Sequence, residues 1–389
     1  MASRDIPLTN DATLNPQFRP DRRRLLRSAA AIAAGVAAGQ SVQAVAAPAM
    51  PSAVSLPPAT GALGNRKIVG YMLAHEQFPV TQLAEIGETA AKAGFGLLAT
   101  SDHLQPWQAN ERHSGEAWVT LGAVGGRLSP AWMGTTVTCP ILRYQPAVVA
   151  EAFATLAQFY PGRVFLGVGS GEALNEQAAT GQWPKWQERW DRLVEAIGII
   201  RALWAGDRVS HHGTYYTVDA QMTDSPPKPI PLLTAANGKK SMRLAGQYGD
   251  GLVTDPLTWQ KFKSEWQDGA RQAGKDPDQM PVLVEQYVVV GDQNEAAKAA
   301  ELWRFGPKAF KQYFNIPDPS AIEQRADAEV PIEKVLDAWA VGADPAIHIA
   351  KLRELFDSGV TIVNVHSGQP DQRKVIDFYG RSVLPQFAT

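Results

Sequence analysis

Cysteine is almost absent from this 389-residue sequence. The single thiol, Cys139, excludes an intrachain disulfide and any metal cluster built on several cysteines. It lies in an apolar stretch, where a position in the core is a better interpretation than a catalytic nucleophile. The seven histidines show neither HxxxH nor HxH spacing, so the sequence predicts no metal site.

An excess of charge of either sign is also lacking. The 37 Lys and Arg residues nearly balance the 39 Asp and Glu residues, which gives a net charge of -2. Because a nucleic-acid partner requires a basic surface, the sequence predicts no nucleic-acid binding. A hydrophobic content of 45% over this length predicts a globular protein with a large core.

No run reaches the roughly 20 strongly apolar residues that a membrane-spanning helix requires. The N-terminal region instead combines a basic segment, 22–27, with a mild uncharged run, 28–41, and the tripeptide Ala44-Val45-Ala46. This order is typical of an export signal. Arg22 and Arg23, followed by x-Leu-Leu, resemble a twin-arginine signal. The sequence therefore predicts a signal peptide over 1–46, the twin-arginine translocation machinery as a partner, and a location in the periplasm or cell envelope. An internal N-terminal helix is the alternative.

After a Pro/Ala/Gly-rich linker at 47–65, short β-rich runs alternate with amphipathic patterns through 66–389. The predicted strands are 67–73, 96–101, 133–138, 164–169, 232–235, 252–254, 282–290 and 361–366. The predicted helices are 80–93, 117–127, 146–159, 186–204, 345–357 and 372–384, with a hairpin at 209–218 and an irregular insertion at 304–344.

Eight β-then-α units predict an α/β protein with a (β/α)8 TIM barrel and an insertion after strand seven. A doubly wound open sheet is the alternative. In a barrel, functional residues collect at the carboxyl ends of the strands. Gly167-Val168-Gly169 does not continue as G-x-G-x-x-G, so it does not indicate a Rossmann fold.

The end of the second strand carries the best catalytic candidates, Asp102, His103 and Trp107. Imidazole is the side chain whose ordinary pKa lies near neutrality, so His103 can accept or donate a proton at working pH. A loop with a capping aspartate and a surface histidine is the alternative interpretation of this stretch.

Four motifs carry a family resemblance. They are Ser101-Asp102-His103-Leu104-Gln105-Pro106-Trp107, Gly134-Thr135-Thr136-Val137, Arg143-Tyr144-Gln145-Pro146-Ala147-Val148-Val149-Ala150, and the run 160–176 that includes Gly169-Ser170-Gly171-Glu172-Ala173-Leu174-Asn175-Glu176. The chain resembles the luciferase-like barrel family over about 67–387. Within that family it is similar to the coenzyme F420-dependent glucose-6-phosphate dehydrogenase branch, and the export signal favours the exported members that act on a hydroxymycolic acid.

The resemblance implies a deazaflavin lying across the barrel mouth, against a bulge in strand three with a non-prolyl cis peptide at Thr136-Val137. The cofactor-binding positions that it implies are Asp102, Thr136, Val137, Gly171, Glu172, Asn175, Ala235, Asn237 and Gly238. The catalytic positions that it implies are His103, Trp107, Glu172 and Glu76.

Each catalytic position has an implied role and a simpler alternative. His103 is the base for an alcohol hydroxyl, or a residue that only fixes its loop. Trp107 covers the reacting carbon, or is core packing. Glu172 donates a proton to the reduced ring system, or is a first-turn helix acid. Glu76 holds His103 or the substrate hydroxyl.

The sugar-phosphate branch binds its substrate's phosphate with two lysines and an arginine. In this sequence Leu257, Gln324 and Ala338 replace them, and Thr254, Glu76 and Trp107 complete the expected substrate site. Because a dehydrated phosphate needs charge-assisted partners, a phosphorylated sugar is improbable, although Arg325 compensates in part. We expect a neutral, partly apolar alcohol or its carbonyl, a class that includes lipid-like molecules.

Three other functions stay open at this point. An FMN-dependent monooxygenase or reductase uses the same barrel and bulge, with FMN in place of F420. An F420-dependent sugar-phosphate dehydrogenase is the second, and a non-catalytic exported binder of a cofactor or lipid is the third. Relatives are commonly dimers, so a homodimer is expected by analogy alone.

Overall fold

The computed structural model describes residues 63–387. Its centre is a closed ring of eight parallel strands, in which the last strand of the ring pairs with the first. In chain order the strands are β1 (Ile68–Leu73), β2 (Leu97–Thr100), β3 (Trp132–Thr138), β4 (Val164–Val168), β5 (Arg208–His212), β6 (Thr217–Gln221), β7 (Leu232–Ala235), β8 (Gly251–Thr254), β9 (Val282–Val289), β10 (Ala340–Val341) and β11 (Ile362–His366).

The ring runs β1-β2-β3-β4-β7-β8-β9-β11, and β5 pairs with β6 as a separate antiparallel hairpin. This arrangement confirms the predicted eight-stranded barrel, the hairpin, and the insertion after the seventh barrel strand. The open-sheet alternative is wrong, because β11 closes onto β1 through Ile68 and Ile362.

Alternate residues of each strand face opposite sides of the barrel wall. Ile68, Leu97 and Leu283 belong to the cluster inside the barrel, whereas their neighbours Val69 and Leu98 belong to the layer under the helices. Space inside is so tight that a Cβ at Gly134 would lie 2.2 Å from the carbonyl oxygen of Phe165. The strand residues that face inward therefore form the packed interior of the barrel, and those that face outward form a continuous layer under the helices.

The helices surround this ring. They are α1 (Val80–Ala93), α2 (Ala117–Val124), α3 (Pro146–Phe159), α4 (Ala173–Thr180), α5 (Trp186–Trp204), α6 (Lys239–Tyr248), α7 (Pro256–Gln272), α8 (Gln293–Glu301), α9 (Pro319–Glu329), α10 (Ile332–Leu336), α11 (Pro345–Asp357) and α12 (Gln372–Phe378). Several begin at an aspartate that accepts a backbone N–H, as Asp255 does from Thr258 at 2.9 Å.

The prediction that 304–344 is irregular is wrong. This segment contains α9, α10 and the short strand β10, which pairs with β9. Asp318 caps α9, with Pro319 at its first position, and this pattern is a helix-start signal. The final helix also ends earlier than predicted, at Phe378, where a π-helical turn over Tyr379–Val383 follows.

The packed part of the chain begins before residue 66, since Leu63 is fully buried in the cluster inside the barrel. The predicted signal peptide at 1–46 lies outside the described residues. Between residues 63 and 387, no helix has the length and apolar character needed to cross a membrane.

Candidate active site

A bulge interrupts β3 at the mouth of the barrel. The register with β4 shifts between Thr135 and Thr138, and the Thr136-Val137 peptide bond is cis, as the resemblance implied. A Cβ at Gly169 would lie only 2.7 Å from the Val137 side chain, and one at Gly167 only 2.9 Å from it. The absence of side chains at Gly167 in β4 and at Gly169 directly after it therefore leaves space for the Val137 side chain in the bulge.

An imidazole and a carboxylate from two neighbouring strands meet at this mouth. His103 follows β2 and Glu76 follows β1, and 3.6 Å separates His103 Nδ1 from Glu76 Oε1. The Ser101 hydroxyl donates a 2.6 Å hydrogen bond to Glu76 Oε2. Glu76 is 2% exposed, so the carboxylate is held in one position behind the imidazole. This separation is longer than a hydrogen bond, and His103 Nδ1 has no hydrogen-bond partner among residues 63–387, so Glu76 faces the imidazole as a nearby charge.

Trp107 lies against the same loop and is largely buried. Its ring is 5.9 Å from the His103 ring between centroids, and it stacks on Phe305 at 4.8 Å. Phe310 meets Trp107 edge-on at 5.9 Å. Phe305 and Phe310 belong to the insertion, so this segment covers the loop that carries the imidazole.

Asn175 joins the loops that carry His103 and Glu172. Its side-chain oxygen accepts a hydrogen bond from the Leu104 backbone at 2.8 Å, and its nitrogen donates to Glu172 Oε2 at 3.4 Å. Gly171, in the turn before Glu172, has a φ of 78°, a left-handed conformation that glycine adopts without strain. The structure therefore connects the loop that carries His103 and the turn that carries Glu172 through Asn175, and the roles of these residues stay predictions.

Asp102 points away from its neighbour His103, into a buried ionic network. Its carboxylate accepts hydrogen bonds from Arg143 at 2.8 Å, Tyr144 at 3.1 Å and Thr138 at 2.6 Å. The Arg143 backbone donates to Glu176 at 2.7 Å. Neither Arg143 nor Glu176 could be predicted as functional, because one arginine before a proline-initiated helix gives no distinctive signal.

The remaining positions expected to line a cofactor follow β7, and the end of β8 lies beside them. Ala235 ends β7, and Asn237 and Gly238 follow it, with Gly238 at the start of α6. The Thr254 hydroxyl at the end of β8 donates to the Ala236 carbonyl at 2.7 Å. That bond ties these two strand ends together at the same rim as the β3 bulge.

The residues expected to replace a phosphate site lie further out. Leu257 is 65% exposed at the start of α7, and Gln324 and Ala338 are exposed on the insertion. Among residues 63–387, no hydrogen bond or ion pair joins these three to His103, Glu76 or Glu172. Their contact with a substrate stays a prediction.

Comparison with known proteins decides the family. The profile of the luciferase-like monooxygenase family matches residues 54–361, which is most of the chain. The chain belongs to the luciferase-like monooxygenase family. It is 47% identical over 321 residues to the F420-dependent hydroxymycolic acid dehydrogenase of Mycobacterium tuberculosis, covering 82% of this chain and 88% of that protein.

One further relative and two solved structures are also similar to this chain. An F420-dependent glucose-6-phosphate dehydrogenase of Nakamurella multipartita is 37% identical, over 82% of this chain and 95% of that protein. The structure of an F420-dependent secondary alcohol dehydrogenase with an F420-acetone adduct superimposes with a TM-score of 0.79 at 33% identity, covering 83% of this chain and all of that one. An FMN-containing Baeyer-Villiger monooxygenase of Pseudomonas putida, 18% identical with a TM-score of 0.61 over 82% of this chain and 99% of that one, shares the fold alone.

The buried Glu176 carboxyl yields a prediction about pH. Burial raises its pKa from the ordinary value of 4.5 to about 7, although the Arg143 backbone N–H opposes the rise. A carboxyl with a raised pKa binds more protons in the folded state, so folding stability falls as the pH rises from 4.5 toward 7. Chemical denaturation should show the wild type losing about 3 kcal/mol more than Glu176→Gln between these two pH values. Glu151→Gln, on the exposed face of α3, is the control and should follow the wild type. If the free energy of unfolding falls by the same amount in the wild type and in Glu176→Gln between these pH values, the raised pKa of Glu176 is contradicted.

Proposed function

We propose that the chain is an F420-dependent dehydrogenase that oxidises a non-phosphorylated alcohol, or reduces the corresponding carbonyl in the reverse direction. The observation that carries this proposal is the meeting of the His103 and Glu76 pair with Glu172, across the Asn175 contact, beside the β3 bulge. The named activities of the two curated relatives and of the F420-dependent structure support it.

The residues at the rim fit a flat cofactor. The bulge displaces Thr136-Val137 from the register with β4, and Gly238 adds a position where a Cβ would meet only the Ser241 hydroxyl, at 3.9 Å. Asn175 and Glu172 supply polar groups on the same side. When bound, coenzyme F420 supplies a two-electron acceptor for the hydride.

His103 acts on the hydroxyl proton. Its Nδ1 faces the Glu76 carboxylate, which leaves Nε2 for the substrate oxygen. As the hydroxyl proton moves to Nε2, the imidazole becomes positively charged, and Glu76 stabilises that charge at short range. Loss of the proton makes the carbinol C–H bond a better hydride donor. The proton and the hydride together account for the two hydrogens that leave the alcohol.

The aromatic side chains over this loop exclude water from it. Trp107 is 5% exposed because Phe305 and Phe310 lie against it. A drier site strengthens the interaction of Glu76 with the charged imidazole. The same rings give the mouth an apolar wall, which favours a partly apolar alcohol.

The two arginines beside the mouth are bonded to other protein groups, which argues against a phosphorylated substrate. Arg143 is committed to Asp102, and Arg189 donates to the carbonyl oxygens of Ser170 and Pro184 while it stacks on the Trp183 ring at 3.8 Å. Both guanidinium groups are thus already bonded to other groups of the protein. The positions where the sugar-phosphate branch has its phosphate-binding cations carry Leu257, Gln324 and Ala338 in this chain. A neutral alcohol requires no such cation.

Export through the twin-arginine pathway is part of the proposal. It is supported by the sequence of 1–46 alone, in which Arg22 and Arg23 precede Leu25 and Leu26. This pathway carries folded proteins, which is compatible with loading of a non-covalent cofactor before export.

Replacement of the proposed base tests the mechanism. We expect His103→Ala to lower kcat for alcohol oxidation on the order of 100-fold or more, because general acid–base catalysis is lost. A fluorescence titration with F420 should show that cofactor affinity is kept. His212→Ala, an exposed histidine on the β5-β6 hairpin, serves as the control. Turnover within threefold of wild type in His103→Ala would favour the non-catalytic binder.

Substrate class is tested by comparing kcat/KM for glucose 6-phosphate with that for uncharged secondary alcohols, using purified F420-loaded enzyme. We expect the uncharged alcohols to be the better substrates, since a phosphate dianion finds no charge-assisted partner at the predicted positions. A higher value for glucose 6-phosphate contradicts the substrate assignment. F420 that stays oxidised with every alcohol, together with turnover when FMN is supplied, would favour the FMN alternative.

Export is tested by fractionating cells that make the full chain. The double substitution of Arg22→Lys with Arg23→Lys should keep the protein in the cytoplasm, because the pathway reads the arginine pair rather than its charge. Substitution of Arg27→Lys in the same basic segment is the matched control and should leave export unchanged. Unaltered export of the double variant would remove this part of the proposal.

A further inference from the structure

A second imidazole–carboxylate pair lies inside the barrel wall, away from His103. Glu285 and Tyr287 are on β9, and Asn364 and His366 are on β11. The strands pair in parallel with Asn364 opposite Glu285 and His366 opposite Tyr287. His366 Nδ1 is hydrogen-bonded to Glu285 Oε1. Both side chains thus belong to the interior of the ring at its carboxyl end.

The two members of this pair differ in access. The His366 side chain is 1% exposed, whereas the Glu285 side chain is 29% exposed. Within residues 63–387, His366 Nε2 has no hydrogen-bond partner, so no further polar group continues the pair on the buried side. The carboxylate is therefore the side from which another molecule can reach the pair.

Aromatic rings hold the imidazole in place. Tyr287 lies between Trp339 and His366, with centroid distances of 4.9 Å and 4.5 Å and nearly parallel planes. Trp303 meets His366 edge-on at 4.3 Å. This packing fixes the ring, and the ring fixes the direction of the Glu285 carboxylate.

Barrel closure places this pair opposite the predicted cofactor wall. In the order β1-β2-β3-β4-β7-β8-β9-β11, strand β9 is four places from β3 in either direction. Strand β3 carries the bulge, and the positions expected to line the cofactor lie on β3, β4 and β7. A substrate between the two walls has Glu285 on the side away from the cofactor.

We propose that Glu285 is a substrate-binding residue that accepts a hydrogen bond from a hydroxyl group other than the reacting one. His366 is its positioning residue. The inference rests on the proposed dehydrogenase function and narrows its substrate to a neutral alcohol with a second hydroxyl, that is, a diol or a longer polyol.

The chemistry of a carboxylate accounts for this choice. Its two oxygens offer about four lone pairs, of which His366 uses one and the neighbouring Tyr287 hydroxyl a second, so further acceptor positions stay open. A hydroxyl donor satisfies a free lone pair through a charge-assisted hydrogen bond. An anionic group at the same place is repelled by Glu285, which agrees with a substrate that carries no phosphate. A monohydric alcohol leaves the carboxylate without this partner.

The experiment uses the F420-loaded enzyme and three probes of equal chain length, hexan-2-ol, hexane-1,2-diol and hexane-1,3-diol. We expect the wild type to prefer at least one diol over hexan-2-ol by on the order of 10- to 100-fold in kcat/KM, the range of a hydrogen bond to a charged group. In Glu285→Gln this ratio should fall toward one. His366→Leu should lower the ratio as well, and His366→Gln, which keeps an N–H donor for Glu285, should restore part of it.

The matched control is Glu195→Gln. Glu195 also accepts from an imidazole, His211 at 3.0 Å, but this pair ties the hairpin to α5 rather than facing the mouth. Its substitution should leave the diol ratio as in the wild type. Turnover of hexan-2-ol with no diol preference, or equal loss for all probes in Glu285→Gln, overturns the assignment of Glu285 and leaves the dehydrogenase intact. No reduction of F420 with any of the three alcohols overturns the proposed function itself.

Discussion

Closure of the parallel ring is the constraint on which the rest of the molecule depends. Eight strands that all run in one direction end on one rim, so side chains from distant parts of the chain become neighbours. Glu76, His103 and Glu172 follow three different barrel strands, yet each lies at the same end of the barrel. The interior below them is filled by packed side chains and therefore forms a firm floor for the site.

A buried ionic network keeps one part of this rim in a single conformation. Arg143 lies between Asp102 and Glu176, and the Tyr144 and Thr138 hydroxyls complete the hydrogen bonding of Asp102. Such groups are costly to bury, and loss of one partner leaves an uncompensated charge. The network therefore specifies the position of the loop that carries His103, since Asp102 is the residue directly before it.

Much of the fold could be predicted from the sequence because barrel strands are short apolar runs separated by helices. The helices that escaped prediction, such as Lys239–Tyr248 and Gln293–Glu301, are polar on average, and their buried faces consist mostly of small residues such as Ala245 and Ala299, which give a weak sequence signal. The Asp102, Arg143 and Glu176 network could not be predicted, because its members are 41 and 33 residues apart and meet only through tertiary packing. The pairing of Glu285 with His366, which are 81 residues apart, could not be predicted for the same reason. Glu172 could be singled out only because it belongs to a long family motif, whereas His103 is also indicated by its place at the end of an apolar strand.

The contact of Trp107 with Phe305 has a consequence for how this enzyme can diverge. One ring belongs to the segment with His103, and the other to the insertion between β9 and β11. The insertion also holds this loop through hydrogen bonds: the Phe305 N–H donates to Gln108 at 2.8 Å, and Gln105 donates to the Pro317 carbonyl at 2.7 Å. Positions of the insertion outside this junction can change to admit new ligands while the proposed acid–base residues keep their places. Under the proposed function, selectivity and reactivity then lie in parts of the chain that meet only at this junction.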